Sequence, residues 1–162
     1  MTSNFRVLGA GVWGLAFSDY LLKLGHNVEI FCRDTNLSNK NISGLKLSHV
    51  SEKNLMSLDT LNAQKSNGEI NIIAVNSKGF SDLLNKHESY FSTLDELVSL
   101  TKGLDHTSGK YFSDYVFDMF SNIKRYGLIS GPSFAKDLCH EKKISVSFAT
   151  LDNKFSNLMV EA

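Results

Sequence analysis

The chain has 162 residues, which fits one domain with a sizeable core. Its hydrophobic content of 42% and charged content of 21% are ordinary for a globular protein. The 17 basic and 17 acidic residues cancel, which argues against a nucleic acid or a membrane surface as partner, and no apolar stretch has the length of a membrane span.

Strand-like and helix-like patterns alternate along the chain. The predicted strands are 5–9, 27–33, 69–75, 96–102, 126–131 and 144–150, and the predicted helices are 12–25, 81–87, 109–120, 132–142 and 152–162. The strand at 69–75 is apolar enough to be buried on both faces, as the centre of a parallel sheet requires. The polar stretch 35–68 is expected to hold a short helix, a third strand near 55–58 and loops. This alternation predicts an α/β fold with a doubly wound, mostly parallel sheet in a single domain.

The hexapeptide GAGVWG at 9–14 has the spacing G-x-G-x-x-G and lies between the first predicted strand and the first predicted helix. In a Rossmann-type turn the first glycine allows the tight bend, the second lets the backbone approach a pyrophosphate, and the third lets the helix pack closely on the strand. Gly9, Gly11 and Gly14 fit these roles, and Val12 and Trp13 open the helix whose N–H groups would face the phosphates. The sequence therefore predicts a dinucleotide site, with a glycine-rich turn that holds no ligand as the alternative.

The end of the second predicted strand bears on the choice between NAD and NADP. Asp34 follows Gly14 by 20 positions, near where an acidic residue binds the ribose 2′-hydroxyl. Arg33 precedes it, and an arginine stacks on adenine and accommodates a 2′-phosphate. Both residues also fit solvated loop charges, so the sequence leaves the cofactor preference open.

Two further motifs, TKG at 101–103 and SGPSFA at 130–135, lie at the carboxyl ends of predicted strands, the edge where open α/β sheets bind ligands. Pro132 fits the first turn of a helix. Gly131 and Ser133 would then lie at a second helix N-terminus suited to an anionic group, and Lys102 would add positive charge. A serine that only caps a helix and a solvated loop lysine are the alternatives.

Other kinds of site find little support in the sequence. The five histidines have no metal-ligand spacing, so a metal site is not expected. Cys32 and Cys139 are far apart and are interpreted as reduced thiols of a cytoplasmic protein. The segments SLTK at 99–102 and GPSFA at 131–135 resemble serine-enzyme motifs, but the remaining parts of those motifs and a plausible triad are lacking.

Taken together, GAGVWG, FCRD, IIAV, TKGLD and SGPSFAKDL, in this order and spacing, resemble the N-terminal domain of the NAD(P)-dependent glycerol-3-phosphate dehydrogenases. The resemblance covers most of the chain and is weakest over 35–68. It implies a dinucleotide-binding domain, with NAD or NADP as cofactor, of an oxidoreductase that interconverts dihydroxyacetone phosphate and glycerol 3-phosphate. TKG followed about thirty residues later by SGPSFA is its most specific part.

The resemblance implies roles for individual cofactor-binding residues beside the three glycines. Val12 and Trp13 would line the pyrophosphate and the nicotinamide side. Arg33 would meet the adenosine end, and Ala135 would touch the cofactor. A serine is usual at the position of Val12, so here only the backbone N–H can contact phosphate.

The resemblance also assigns Lys102 to both cofactor and substrate, and Gly131 and Ser133 to a small phosphorylated substrate. The family has its general base, a lysine, in an all-helical second domain that these 162 residues do not include. Hydride transfer from a secondary alcohol needs a group that takes the hydroxyl proton. We therefore expect no catalytic residue in residues 1–162, and cofactor binding with little turnover from this chain alone.

Two other functions stay open at the level of sequence. One is a stand-alone dinucleotide-binding module that performs no chemistry, and the other is a related Rossmann reductase acting on another hydroxy acid. Association of two copies as a homodimer also stays open, because an apolar face of the last predicted helix, 152–162, could drive it.

Overall fold

The computed structural model describes residues 2–40, 42, 44–61, 68–132, 134–140 and 144–161. The strands are β1 (Asn4–Leu8), β2 (Asn27–Cys32), β3 (Leu55–Ser57), β4 (Ile70–Ile73), β5 (Glu96–Ser99), β6 (Arg125–Ser130) and β7 (Ser147–Thr150). The helices are α1 (Val12–Lys23), α2 (Phe80–Lys86), α3 (Glu88–Phe91), α4 (Phe112–Met119), α5 (Ala135–Cys139) and α6 (Asn153–Glu161). No helix among these described residues is both long and apolar enough to cross a membrane.

The seven strands form one sheet in the order β3-β2-β1-β4-β5-β6-β7. All neighbouring pairs are parallel except β6 and β7, which are antiparallel. The predicted doubly wound, mostly parallel fold is therefore confirmed. The antiparallel edge strand was not predicted, because a two-residue period does not indicate the direction of a strand.

Helices cover both faces of the sheet because side chains of the central strands alternate between two cores. Val7 and Ile72 pack with Leu15 of α1 in one hydrophobic cluster, whereas Leu8 and Ile73 pack in a second cluster with side chains of α2, α3 and α4. All four strand residues are fully buried. The expected burial of the 69–75 segment on both faces is thus confirmed for β4.

The stretch 35–68 folds as the sequence predicts only in part. The third strand, expected near 55–58, is β3. Where a short helix is expected, the described residues have single 3₁₀ turns at 37–39, 52–54 and 58–60. The loop is tied to the core by Asp19 of α1, whose buried carboxylate Oδ1 accepts hydrogen bonds from the backbone N–H groups of residues 48, 49 and 50 at 3.0, 2.7 and 2.8 Å.

The helix predicted to start at Pro132 starts three residues later. Phe134 has extended backbone angles and precedes the first residue of α5, Ala135. A Cβ at Gly131 would lie 2.7 Å from the carbonyl oxygen of Ser145, so the chain at Gly131 passes close beside the segment that leads into β7. The prediction that Gly131 lies at a helix N-terminus is therefore wrong.

Candidate functional site

The direction of the crossovers reverses between β1 and β4. From β1 the chain passes through α1 to β2 on one side of the sheet, and from β4 it passes through α2 and α3 to β5 on the other side. The loops that leave the two strands therefore separate and open a crevice at the carboxyl edge. This is the place where open α/β sheets bind their ligands.

The glycine turn between β1 and α1 has three different spatial requirements. Gly9 has φ +124°, and a Cβ there would lie 2.6 Å from the carbonyl oxygen of Ala74. A Cβ at Gly14 would lie 2.1 Å from the carbonyl oxygen of Gly9, so this residue sets how closely α1 packs on the turn. At Gly11 the nearest atom to such a Cβ is 4.0 Å away. The described residues leave the space beside Gly11 unfilled, so it is open to a ligand.

The start of α1 presents free backbone donors to this space. Gly11 is the N-cap residue, and no side chain caps the helix there within the described part of the chain. The first turn carries no acidic side chain, and Val12 is 42% exposed. A twelve-residue helix with an uncapped, accessible N-terminus is a favourable site for an anion.

A cleft of about 240 Å³ adjoins this turn at the carboxyl edge. It brings together Trp13 of α1, Lys102 from the loop after β5 and Gly131 from the end of β6. Lys102 is exposed, and among the described residues that line the cleft it is the only ionisable one. Three motifs that are far apart in sequence therefore meet around one space with a positive charge on its wall.

Hydrogen bonds that the sequence did not indicate hold the loop that carries Lys102. The hydroxyl of Thr101 donates to the carbonyl oxygen of Val75 at 2.7 Å, which ties the loop after β5 to the loop after β4. Asp105 accepts hydrogen bonds from the Ser108 N–H and hydroxyl, both at 2.8 Å. These donors lower the pKa of Asp105 below its ordinary value of 3.8.

A second cavity, of about 420 Å³, lies on the other side of Asn76 and has Arg33 in its wall. Val75 and Asn76 line both spaces, so the two cavities are neighbours along the sheet edge. The side chain of Asn76 accepts a hydrogen bond from the Gly79 N–H at 2.8 Å and starts the turn that leads to α2. Sequence reasoning did not assign Asn76 to the site, although a cap residue directly after a central strand is a signal for such a position.

Asp34 and Ala135 line neither of these two cavities. The Asp34 carboxylate accepts hydrogen bonds from the Asn36 N–H and the Asn39 side chain, and it lies outside both cavity linings. Ala135 is 4% exposed and packs with Ala16 and Leu138 between α1 and α5, away from the cleft lining. A cofactor contact through Ala135 stays a prediction, and Ser133 lies outside the described residues.

A family model described as NAD-dependent glycerol-3-phosphate dehydrogenase N-terminus matches residues 4–156. The chain belongs to this family. The resemblance of the five motifs is therefore confirmed, as is the type of cofactor, with the choice between NAD and NADP unresolved.

Relatives with full-length sequences extend well beyond the family's N-terminal domain. The chain is 29% identical over 167 residues to the glycerol-3-phosphate dehydrogenase [NAD(P)+] of Francisella tularensis subsp. novicida (strain U112). This alignment covers 99% of this chain and 50% of that protein. It thus spans about half the length of the curated relatives it matches.

Solved structures support the fold of this family member. The crystal structure of glycerol-3-phosphate dehydrogenase from Coxiella burnetii superposes with a TM-score of 0.77 at 22% identity, over 99% of this chain and 50% of that chain. The Plasmodium falciparum glycerol-3-phosphate dehydrogenase gives 0.69 at 20% identity, over 98% and 48%. At these identities the likeness concerns the fold, and it agrees with the Rossmann-type sheet order.

Proposed function

We propose that this chain binds NAD(H) or NADP(H) in the crevice at the carboxyl edge of the sheet, as the N-terminal domain of a glycerol-3-phosphate dehydrogenase. The observation that carries the proposal is the uncapped start of α1 beside the unused space at Gly11, which adjoins the cleft with Lys102 and Gly131. A pyrophosphate fits this place because the backbone N–H groups supply donors and no side chain obstructs them.

The cofactor residues are proposed as follows. Gly9 and Gly14 hold the shape of the turn, and the main chain at Gly11, Val12 and Trp13 holds the pyrophosphate. Arg33, in the wall of the second cavity, holds the adenosine end. The nicotinamide would lie in the cleft beside Trp13, where hydride transfer is the chemistry that the bound cofactor supplies.

The substrate proposed is dihydroxyacetone phosphate or glycerol 3-phosphate, held beside the nicotinamide. Lys102 and Gly131 line the cleft, which supports a role for them at the substrate. The ammonium group of Lys102 can neutralise part of a phosphate or donate a hydrogen bond to a substrate oxygen. Ser133 belongs to the same proposal by the resemblance of its motif alone.

Turnover needs more than these residues provide. Lys102 is already assigned to binding, and the described cleft lining offers no second ionisable group that could take the hydroxyl proton. Hydride transfer also requires a substrate that is enclosed and held in place beside the nicotinamide. We therefore propose that residues 1–162 by themselves bind the cofactor and that the helical half of the family is required for catalysis.

The test uses the sole tryptophan, Trp13, which lines the cleft. Titration with NADH or NADPH should quench its fluorescence saturably, and calorimetry should give a stoichiometry of one. No binding of either dinucleotide would refute the proposal. A separate assay with dihydroxyacetone phosphate and NAD(P)H should give almost no rate, and rapid turnover would refute the requirement for the helical half.

A cytoplasmic location is part of the same proposal, supported by the two unpaired thiols. Cys32 and Cys139 are both free, and Cys32 is buried. Free thiols are usual in a reducing compartment. Formation of a homodimer stays a prediction, which sedimentation of the purified chain over a range of concentrations would test.

A further inference from the structure

The second cavity has an excess of positive charge in its wall. Arg33 follows β2, Lys78 lies in the turn before α2, and Lys86 is the last residue of α2. Asp82 is the carboxylate among the described lining residues. Lys86 also forms an exposed ion pair with Asp59 at 3.3 Å, which leaves its ammonium group accessible to a second anion.

The rest of the wall suits a purine base. Leu58, Val75 and Leu83 supply apolar surface, and His87 is a further lining residue. His87 is 8% exposed, and its Nε2 has no hydrogen-bond partner among the described residues. Burial and the nearby charge of Lys86 lower the pKa of His87, so the ring adds no positive charge to this wall at neutral pH.

The acidic residue that would favour NAD is turned away from this cavity. A carboxylate selects NAD by accepting a hydrogen bond from the ribose 2′-hydroxyl and repelling a 2′-phosphate. The Asp34 carboxylate is instead held by Asn36 and Asn39 in a local turn, at 2.8 and 2.9 Å. Arg33 is the residue of this pair that lines the cavity.

We propose that the second cavity binds the adenosine 2′-phosphate of NADP(H), with Arg33, Lys78 and Lys86 as its ligands, so that the chain prefers NADPH to NADH. This inference rests on the proposed function, because it assumes that a dinucleotide lies along the crevice. Arginine and lysine supply charge-assisted hydrogen bonds that a ribose hydroxyl cannot match in strength. Lys78 and Lys86 are brought to Arg33 by the fold, across more than forty residues of sequence.

The experiment compares the binding of NADPH and NADH to the whole chain by calorimetry, with Trp13 quenching as a second readout. NADPH should bind about tenfold more tightly or better, since a further charge-assisted interaction is made. The dissociation constant of NADPH should also rise more steeply with salt than that of NADH. As competitors against NADPH, 2′,5′-ADP should bind and 5′-AMP should be much weaker.

The variants Lys78→Gln and Lys86→Gln should each reduce the ratio of NADPH to NADH affinity at least about threefold, and Arg33→Gln should reduce it further. Lys124→Gln is the matched control, because Lys124 is an exposed lysine just before β6, at the opposite edge of the sheet. Equal affinity for the two dinucleotides, or tighter binding of NADH, would overturn the inference while the proposed function stands. Binding of neither dinucleotide would overturn both, and an unchanged ratio in the two lysine variants would exclude them as ligands.

Discussion

Alanine at Gly11 and alanine at Gly14 should separate ligand binding from folding, although the two residues are only three positions apart. At Gly14 the new Cβ would lie 2.1 Å from the Gly9 carbonyl oxygen, more than 1 Å inside an ordinary contact distance. The oxygen belongs to the backbone and the position of a Cβ is fixed by its own backbone, so no side-chain rotation relieves the overlap and α1 must move away from the turn. Overpacking against backbone at a buried position is expected to lower the free energy of unfolding by about 3 kcal/mol or more.

At Gly11 the same methyl group meets no atom of the described residues closer than 4.0 Å. The backbone angles of Gly11, φ −76° and ψ 178°, are open to any residue. Alanine caps a helix somewhat less well than glycine, but it reduces the entropy of the unfolded chain by about 0.4–1 kcal/mol, so the two effects nearly cancel. The methyl group would, however, occupy the space through which a pyrophosphate approaches the N–H groups of α1, and we expect at least about a tenfold loss of dinucleotide affinity.

Thermal unfolding followed by circular dichroism and calorimetric titration with NADPH measure the two effects separately. Gly14→Ala should lower Tm by roughly 6–12 °C, and Gly11→Ala should leave it within about 2 °C of the parent chain. Calorimetry is used because Trp13 lies between the two substitutions and its fluorescence could change without a change in binding. If Gly11→Ala binds NADPH like the parent chain, the assignment of this space to the cofactor is wrong. If Gly14→Ala is as stable as the parent chain, the argument from close packing fails.

Three other substitutions test the loop anchor at Asp19, the hydrogen-bonded carboxylate of Asp105 and the cleft residue Lys102. Asp19→Ala removes the acceptor of three loop N–H groups and should lower the free energy of unfolding by roughly 3 kcal/mol, which thermal melts would detect; a change below about 0.5 kcal/mol would contradict the anchoring role. Hydrogen bonds lower the pKa of Asp105 in the folded state, so the stability that it contributes is present above its unfolded pKa and is lost as pH falls below about 4. Asp105→Asn should therefore make Tm fall less steeply on the acid side. An unchanged dependence of Tm on pH would count against this role of Asp105. Lys102→Gln should reduce dinucleotide affinity several-fold with Tm unchanged within about 2 °C, and an unaltered affinity in calorimetry would remove Lys102 from the proposed site.

The sequence was informative where a function depends on a local pattern. The turn at 9–14 follows from glycine spacing between a strand and a helix, and the central position of β4 follows from its apolar run. In both cases neighbouring residues in sequence supply the atoms that decide the geometry. The carboxyl-edge position of Lys102 and Gly131 followed for the same reason, because each motif directly follows a strand.

Features that depend on distant backbone could not be predicted in this way. Neither the start of α5 at Ala135 nor the close approach of Gly131 to Ser145 is indicated by a pattern within 130–135. The hydrogen bonds from residues 48–50 to the Asp19 carboxylate join a helix to a loop about thirty positions away in sequence. The apolar periodicity of α1 predicts neither the burial of Asp19 nor the donors that its carboxylate meets.

The same distinction explains why Arg33 and Asp34 could not be ranked from sequence. Both follow β2, and each has a recognised way of contacting an adenosine ribose. The two residues differ in their surroundings. The Asp34 carboxylate accepts hydrogen bonds within a local loop, whereas Arg33 lines a cavity together with residues of α2, which the strand order places at the same edge of the sheet. A charged residue at the end of β2 therefore indicates whether NAD or NADP is preferred only when the residues on the opposite wall of the cavity are known. In this chain the wall opposite Arg33 is formed by the crossover after β4. On our proposal, the choice between NADP and NAD therefore depends on the doubly wound topology as much as on the residue at the end of β2.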